Sequence, residues 1–413
     1  MRGLRVFCYV FLPFALGHYL SSLLRNVNAV LAPELMAALA LTPGQLGLLT
    51  SAFFFAFALA QLPVGIALDR YGPRQVQLAL LMAAALGALL FAHGTSFTEL
   101  IAARALMGIG LGGCFMAAVK AISAAISPAK LPSVQGYMIA VGGLGAATAT
   151  MPVRMALDYT DWRGLFTVLG GVAACVGLLI WLLAPRAAPF PRAAPSLQSV
   201  FVVYRDRAFR RTVSLMLVPH AVFFGVQGLW MGRWLADVGH YAPGAVAYLL
   251  YLSMAAVIFG AIAVGMLTEW AGRHGVKPLD VGAIGVALFV LVQAALVLNY
   301  APSLALLSVL FTLVGTITGI EYALVAQSMP SALTGRASTC LNLLIFVGAF
   351  MVQAGFGAIV CLWQPDAAGR YPASAYQSAF AAMALLQLPG LAAYAVGRWR
   401  GARPLLTAWT SKA

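Results

Sequence analysis

The sequence predicts an all-α integral membrane protein of twelve transmembrane helices arranged as two pseudo-symmetric six-helix bundles. Three observations lead there: an extreme hydrophobic composition, twelve apolar runs of membrane-spanning length, and an internal repeat near 200 residues. Of the 413 residues, 62% are hydrophobic and only 9% are charged. Soluble domains carry about 25% charged residues. This chain lacks the polar surface that a water-soluble fold of its size would need, whereas in a bilayer lipid is the solvent.

A helix crosses the hydrocarbon core with about 20 apolar residues. Runs at 7–32, 45–68, 75–94, 98–125, 134–157, 163–184, 211–236, 244–268, 279–300, 302–327, 337–362 and 374–397 meet that length and define helices one to twelve. Their short connections carry breakers, among them Thr42-Pro43-Gly44, Tyr71-Gly72-Pro73 and Ala242-Pro243-Gly244. The start, Met1-Arg2-Gly3-Leu4-Arg5, mimics a secretory signal, but the apolar run continues past His18 and Arg25 and reads as a retained first helix. The connection at 185–210 differs: Pro185, Pro189, Pro191 and Pro195 alternate with Arg186, Arg192, Arg205, Arg207 and Arg210. It reads as a basic, proline-rich linker between bundles at 1–184 and 211–413.

Lys and Arg in short loops collect on the cytoplasmic side. With the N-terminus inside, the inner set includes Arg2, Arg5, Arg70, Arg74, Lys130, the linker arginines, Arg273, Lys277, Arg336 and Arg398, and the outer set is Arg163, Arg233 and Arg370. Both termini and the linker are therefore expected in the cytoplasm. The net charge of +14 belongs to this topology, not to a nucleic-acid surface, because it forms no single patch. Cys8, Cys114, Cys175, Cys340 and Cys361 lie in or beside apolar runs without a CxxC pair, so neither a disulfide framework nor a metal site is expected.

The halves echo each other. Gly65-x3-Asp69-Arg70-x-Gly72 returns 200 residues later as Gly265-x3-Glu269-Trp270-x-Gly272, and His18 and Arg25 answer to His220 and Gln227 at an offset of 202. Several matches near one offset indicate internal duplication. Six-helix parallel repeats are a transporter architecture, with the solute site between the halves near mid-membrane.

At these residues the chain resembles the major facilitator superfamily over essentially its whole length. Gly65-x3-Asp69-Arg70-x-Gly72-Pro73-Arg74 looks like that superfamily's signature loop, with a weaker copy at Gly265, Glu269, Gly272 and Arg273. Arg104-x3-Gly108-x-Gly110 is similar to its basic motif in helix four. The resemblance implies a monomeric secondary transporter of the bacterial inner membrane. It also implies that helices one, four, seven and ten face the cavity. The loop is expected to be a gate: Gly65 and Gly72 permit a tight turn and close packing, while Asp69, Arg70, Arg74, Glu269 and Arg273 make contacts when the inner side closes. Helix five, with Gly142-Gly143-Leu144-Gly145 and Met151-Pro152, lacks the Gly-Pro step of the drug-antiporter signature. An exporter of amphipathic compounds by proton antiport stays as the alternative to uptake. No P-loop, HExxH or GxSxG constellation points to ATP, a cofactor or an enzyme.

A charge inside the membrane costs roughly 2.5–3.5 kcal/mol at mid-helix and needs a reason. Arg25, Arg104, Lys120 and Arg154 fall in the predicted spans, with Glu321 as the acid in a helix core. His18 and Arg25 are seven residues apart and share a helix face, with Asn28 near the same stripe. A planar guanidinium suits a carboxylate, so Arg25 is the candidate contact for a small anionic substrate. His220, Gln227 and Trp230 repeat the arrangement on helix seven as further binding candidates. Glu321 and Lys120 are repeat equivalents and are expected to oppose each other as an ion pair or a proton-coupling pair, with Arg104 structural or involved in proton movement.

Overall fold

The computed structural model describes residues 2–126, 131–185, 197–329 and 331–410. All regular elements among the described residues are helical. Eleven helices are long and apolar enough to cross a membrane by themselves. The expected fifth span forms in two pieces, Leu131–Thr148 and Met151–Ala156. Pro152 sits at the start of the second piece, where a residue without an N–H and with a bulky ring is tolerated. The chain is thus a multi-pass membrane protein of twelve helical crossings in two bundles.

Helix boundaries follow from local chemistry. Thr42 opens helix two (Pro43–Tyr71) with a reciprocal capping box to Gln45, and Ser96 opens helix four in the same way with Glu99. Asp161 caps helix six (Trp162–Leu183). Gly72, at φ 79°, makes the turn between helices two and three, where the next residue is Pro73. Residues 186–196 of the expected linker lie outside the described residues. Its remainder is not open coil: Leu197–Arg205 is helical, and helix seven starts at Arg207 because the Asp206 carboxylate accepts from the Phe209 N–H at 2.7 Å.

Helices one, four, seven and ten share one departure from regularity. Helix one is interrupted at Val27, between Leu12–Asn26 and Asn28–Leu39. Helix four breaks at Gly112 and Gly113. Helix seven widens to a π-helical turn at Val226–Trp230, and helix ten tightens to a 3-10 turn at Thr316–Gly319. The interruptions fall at corresponding places in the two repeats. Broken helices at repeat-related positions free backbone groups and mark the interior of a transport path.

The two bundles meet closely at the end that carries Thr42 and Cys361, expected to face outward. The Gly44 N–H donates to Cys361 Sγ at 3.1 Å. A Cβ on Gly47 would stand 2.8 Å from the Gln353 carbonyl oxygen, and one on Gly357 would stand 2.6 Å from that of Pro43. Helix one meets helix seven where a Cβ on Gly232 would stand 2.9 Å from the Ala29 oxygen. Among the described residues, Gly65 and Gly265 near the other end have nothing within 4 Å of an added Cβ. The close packing expected at Gly65 is therefore not found among the described residues. Arg74 bonds within its own half, from Nε to the Trp181 oxygen at 2.6 Å, and Arg70 lies over Tyr71. Glu269 and Arg273 pair with each other along helix eight. The Asp69 side chain lies outside the described residues.

Candidate functional site

Arg25 precedes the interruption of helix one by two residues and reaches across to the second half. Leu20 to Leu24 and Val27 to Leu31 are buried, while Arg25 is half-buried. Its guanidinium carbon lies 5.4 Å from the ring centroid of Phe224 on helix seven. Its Nε is buried without a hydrogen-bond partner, and no carboxylate among the described residues forms an ion pair with it. A guanidinium in this position is held by a ring face and has its fork of donors uncommitted.

Arg104 supports that position. It is fully buried, and its Nη1 donates at 3.0 Å to the carbonyl of Leu24, the residue before Arg25. Phe53 and Phe91 flank it at 5.1 and 5.9 Å. The glycines of its motif allow close helix packing: a Cβ on Gly108 would stand 2.4 Å from the Phe53 oxygen, and one on Gly110 would stand 2.4 Å from the Ala84 nitrogen.

His18 is half-buried and packs against Phe115 of helix four, with ring centroids 5.1 Å apart. In the second half, His220 packs against Tyr322 of helix ten at 5.9 Å. The two repeats therefore set the same pair of groups, an imidazole and an aromatic ring, on corresponding helices. His220 also stacks on Phe224 at 4.8 Å. Its Nδ1 meets Glu321 Oε1 in a buried hydrogen bond. Glu321 thus takes His220 as its partner, where the repeat suggested Lys120. Helices seven and ten of one half are neighbours, whereas repeat equivalence relates Lys120 to Glu321 by symmetry without requiring contact. Lys120 is half-buried near the end of helix four.

Three further sequence candidates each have a protein hydrogen-bond partner. Asn28 is fully buried and donates to Thr50 Oγ1 at 3.1 Å, joining helices one and two. The interruption at Val27 separates Asn28 from Arg25 along helix one. Gln227 is buried, and its Oε1 accepts from Thr312 Oγ1 at 2.7 Å. Trp230 is 1% exposed, donates to the Gln353 oxygen at 2.9 Å, and wedges against Gly47 and Gly357. It closes the packed end. Arg154, another basic residue in a predicted span, pairs with Glu34 at 3.3 Å and Asp158 at 3.4 Å.

Sequence reasoning missed Phe224, Tyr322, Asn342 and Asp237. Phe224 follows His220 by four residues and so shares its face, and Tyr322 adjoins Glu321; both signals were present. Asn342 accepts from the Tyr322 hydroxyl at 2.5 Å. Asp237, at the end of helix seven, is a second buried acid. It pairs with Arg233 at 2.8 Å and accepts from the Tyr376 hydroxyl at 2.6 Å, tying helix seven to helix twelve.

Two bundles of broken helices around a charged centre define a membrane transporter, not an enzyme. The family model of the Major Facilitator Superfamily matches residues 14–353, and the chain belongs to that superfamily. It is 31% identical over 156 residues to a protein of Cupriavidus necator named as probable sulfoacetate transporter SauU, a match covering 38% of this chain and 36% of that one. It is 25% identical over 322 residues to the niacin transporter NiaP of Acinetobacter baylyi, covering 69% and 72% of the two chains. A bacterial homolog of the human lysosomal transporter Spinster, solved in an inward-facing, unoccupied conformation, shares the fold with a TM-score of 0.76 at 18% identity, over 94% of this chain and 95% of that one.

Proposed function

We propose that this secondary transporter carries small organic anions, with Arg25 as the group that holds the anionic end. The observation that carries the reading is the uncommitted guanidinium of Arg25, half-buried between the halves and resting over Phe224. A charge kept inside a membrane protein without a protein counter-ion is suited to a visiting one. A carboxylate accepts two parallel N–H bonds from such a fork. The relatives named for sulfoacetate and niacin transport carry solutes that are anionic at neutral pH, which supports the same class.

Transport proceeds by alternating access of the bundles at 1–184 and 211–413, with linker and termini in the cytoplasm of a bacterial cell and the chain acting as a monomer in the inner membrane. The anion enters from one side, displaces Arg25 from Phe224, and draws helices one and seven together. The packed end around Trp230 then opens as the other end closes over Gly65 and Gly265, where the signature-loop residues Asp69, Arg70, Arg74, Glu269 and Arg273 form their contacts. The His220–Glu321 pair carries the coupling proton: an imidazole and a carboxylate sharing one hydrogen bond change net charge by one when a proton binds. Loading anion and proton together limits the charge moved through the low-dielectric interior, so uptake by symport is the favoured direction.

The test is ligand-induced thermal stabilisation of the purified protein against carboxylates, neutral sugars and organic cations. Carboxylates are expected to raise the melting temperature in a dose-dependent way. Stabilisation by neutral or cationic solutes alone would remove the anion reading.

A further inference from the structure

We infer that a groove on the lipid-facing side of the first half seats one acyl chain of an anionic phospholipid, whose phosphate rests on Arg70. This is independent of the solute carried. The groove holds about 600 Å³ and runs along helix two and helix three (Pro73–His93), with Ile109 of helix four at its base. The described residues lining it all come from these three helices, so it is not formed between the halves. Helix four reaches both walls from behind: a Cβ on Gly113 would stand 2.8 Å from the Val64 side chain of helix two and 2.5 Å from that of Leu80 on helix three. Helix one packs on another side of helix four, where Ser21 Oγ donates to the Leu111 carbonyl, two residues and about 200° around the helix from Ile109. Leu59, Tyr71 and Ile109 line the groove and are 56%, 55% and 42% exposed. Left unfilled, such a groove forfeits the dispersion contacts that a flexible hydrocarbon chain supplies.

Length and polarity specify the occupant. Leu59 and Tyr71 are twelve residues apart, or about 18 Å of helix. One leaflet supplies half of a hydrocarbon core about 30 Å thick, so the groove is as long as a single acyl chain. Its lining is apolar from Leu59 through Pro63 and Ala67 and turns polar at Tyr71 and Gln75, beside the turn into helix three. At that end the exposed Arg70 guanidinium lies 5.2 Å over the Tyr71 ring, and it has no ion pair among the described residues. Arg74, bonded through Nε to the Trp181 oxygen, adds a second positive charge just beyond the turn. Basic side chains at the mouth of an apolar groove, at the level of the headgroups, match a phosphodiester carried on a fatty chain.

The experiment is native mass spectrometry of the purified full chain in detergent, titrated with phosphatidylglycerol and with phosphatidylcholine of the same chain length. The first phosphatidylglycerol is expected to bind roughly five-fold more tightly than phosphatidylcholine, which is what one basic side chain contributes at a membrane surface. Arg70→Gln should remove that preference while phosphatidylcholine still binds; that persistence also shows that the variant is folded. Ala79→Phe, at an exposed position in the groove, should weaken both lipids alike by filling it. Leu59→Trp fills the groove from helix two and takes its place if Ala79→Phe does not melt cooperatively. Equal binding of the two lipids, an unchanged preference in Arg70→Gln, or undiminished binding in the filled variants overturns the proposal. So does a dimer that forms in lipid-free detergent and is broken by Ala79→Phe, because the groove then belongs to a second copy of the chain.

Discussion

The guanidinium of Arg25 lies 5.4 Å over the ring of Phe224, and this contact crosses from helix one of the first half to helix seven of the second. Arg25 sits two residues before the interruption at Val27, and Phe224 two before the π-helical turn that begins at Val226. The charge and its aromatic seat thus stand beside the places where both helices are irregular. A ligand that takes the guanidinium from the ring acts on both halves at once.

Arg25→Lys should bind a carboxylate ligand at least about ten-fold more weakly than the unaltered protein. Lysine keeps the charge but loses the planar fork, and a charge-assisted hydrogen bond is worth roughly 1.5–3 kcal/mol. Isothermal titration of both proteins with the same ligand reads this directly, and equal affinities would make the fork irrelevant.

Glu321→Gln removes the ionisable member of the buried pair while leaving a side chain that can still meet His220. The variant is expected to exchange labelled for unlabelled anion across proteoliposome membranes at a substantial rate, yet fail to accumulate it under an imposed pH gradient. Accumulation at the unaltered level would take the coupling role away from the pair.

Gly357→Val should hold the packed end apart, since even a Cβ there would stand 2.8 Å from Trp230 and 2.6 Å from the Pro43 oxygen. Cys361 reports on this end, because its sulfur accepts from the Gly44 N–H. With Cys8 and Cys175 replaced by serine, labelling of Cys361 by a membrane-impermeant maleimide should be several-fold faster in Gly357→Val. An unchanged rate would mean that the glycine contact does not govern closure.

Asp237→Ala leaves Arg233 buried without its partner and Tyr376 without its acceptor. Breaking a buried ion pair from one side costs about 3–5 kcal/mol, so the variant should melt well below the unaltered protein in detergent while retaining ligand-induced stabilisation. A melting temperature within a degree of the original would show that the cluster contributes little to holding helix twelve.

The spans were legible because a membrane crossing demands a long apolar run, and nothing else in a chain looks like one. Buried charges were legible for the same reason: Arg25, Arg104, His220 and Glu321 each interrupt such a run. What a run does not reveal is whether a polar side chain inside it faces a cavity or a neighbouring helix. Asn28, Gln227 and Trp230 read like Arg25 in sequence, yet each bonds a neighbouring helix, through Thr50, Thr312 and the Gln353 carbonyl. Phe224 and Tyr322 escaped for the opposite reason, since an aromatic residue in a membrane helix draws no attention unless its spacing from His220 or Glu321 is weighed. Asp237 escaped because an acid at the end of an apolar run reads as interfacial, and only packing against Tyr376 makes it interior.

The most direct test of the central claim is uptake of a radiolabelled organic anion into proteoliposomes by the unaltered protein and by Arg25→Ala, with folding of both checked by thermal melting. The anion-site account predicts saturable uptake by the unaltered protein and loss of that uptake in Arg25→Ala, which should still melt cooperatively near the original temperature because Arg25 makes no ion pair among the described residues. Uptake by Arg25→Ala at the unaltered rate and affinity would contradict it and would make Arg25 a packing residue.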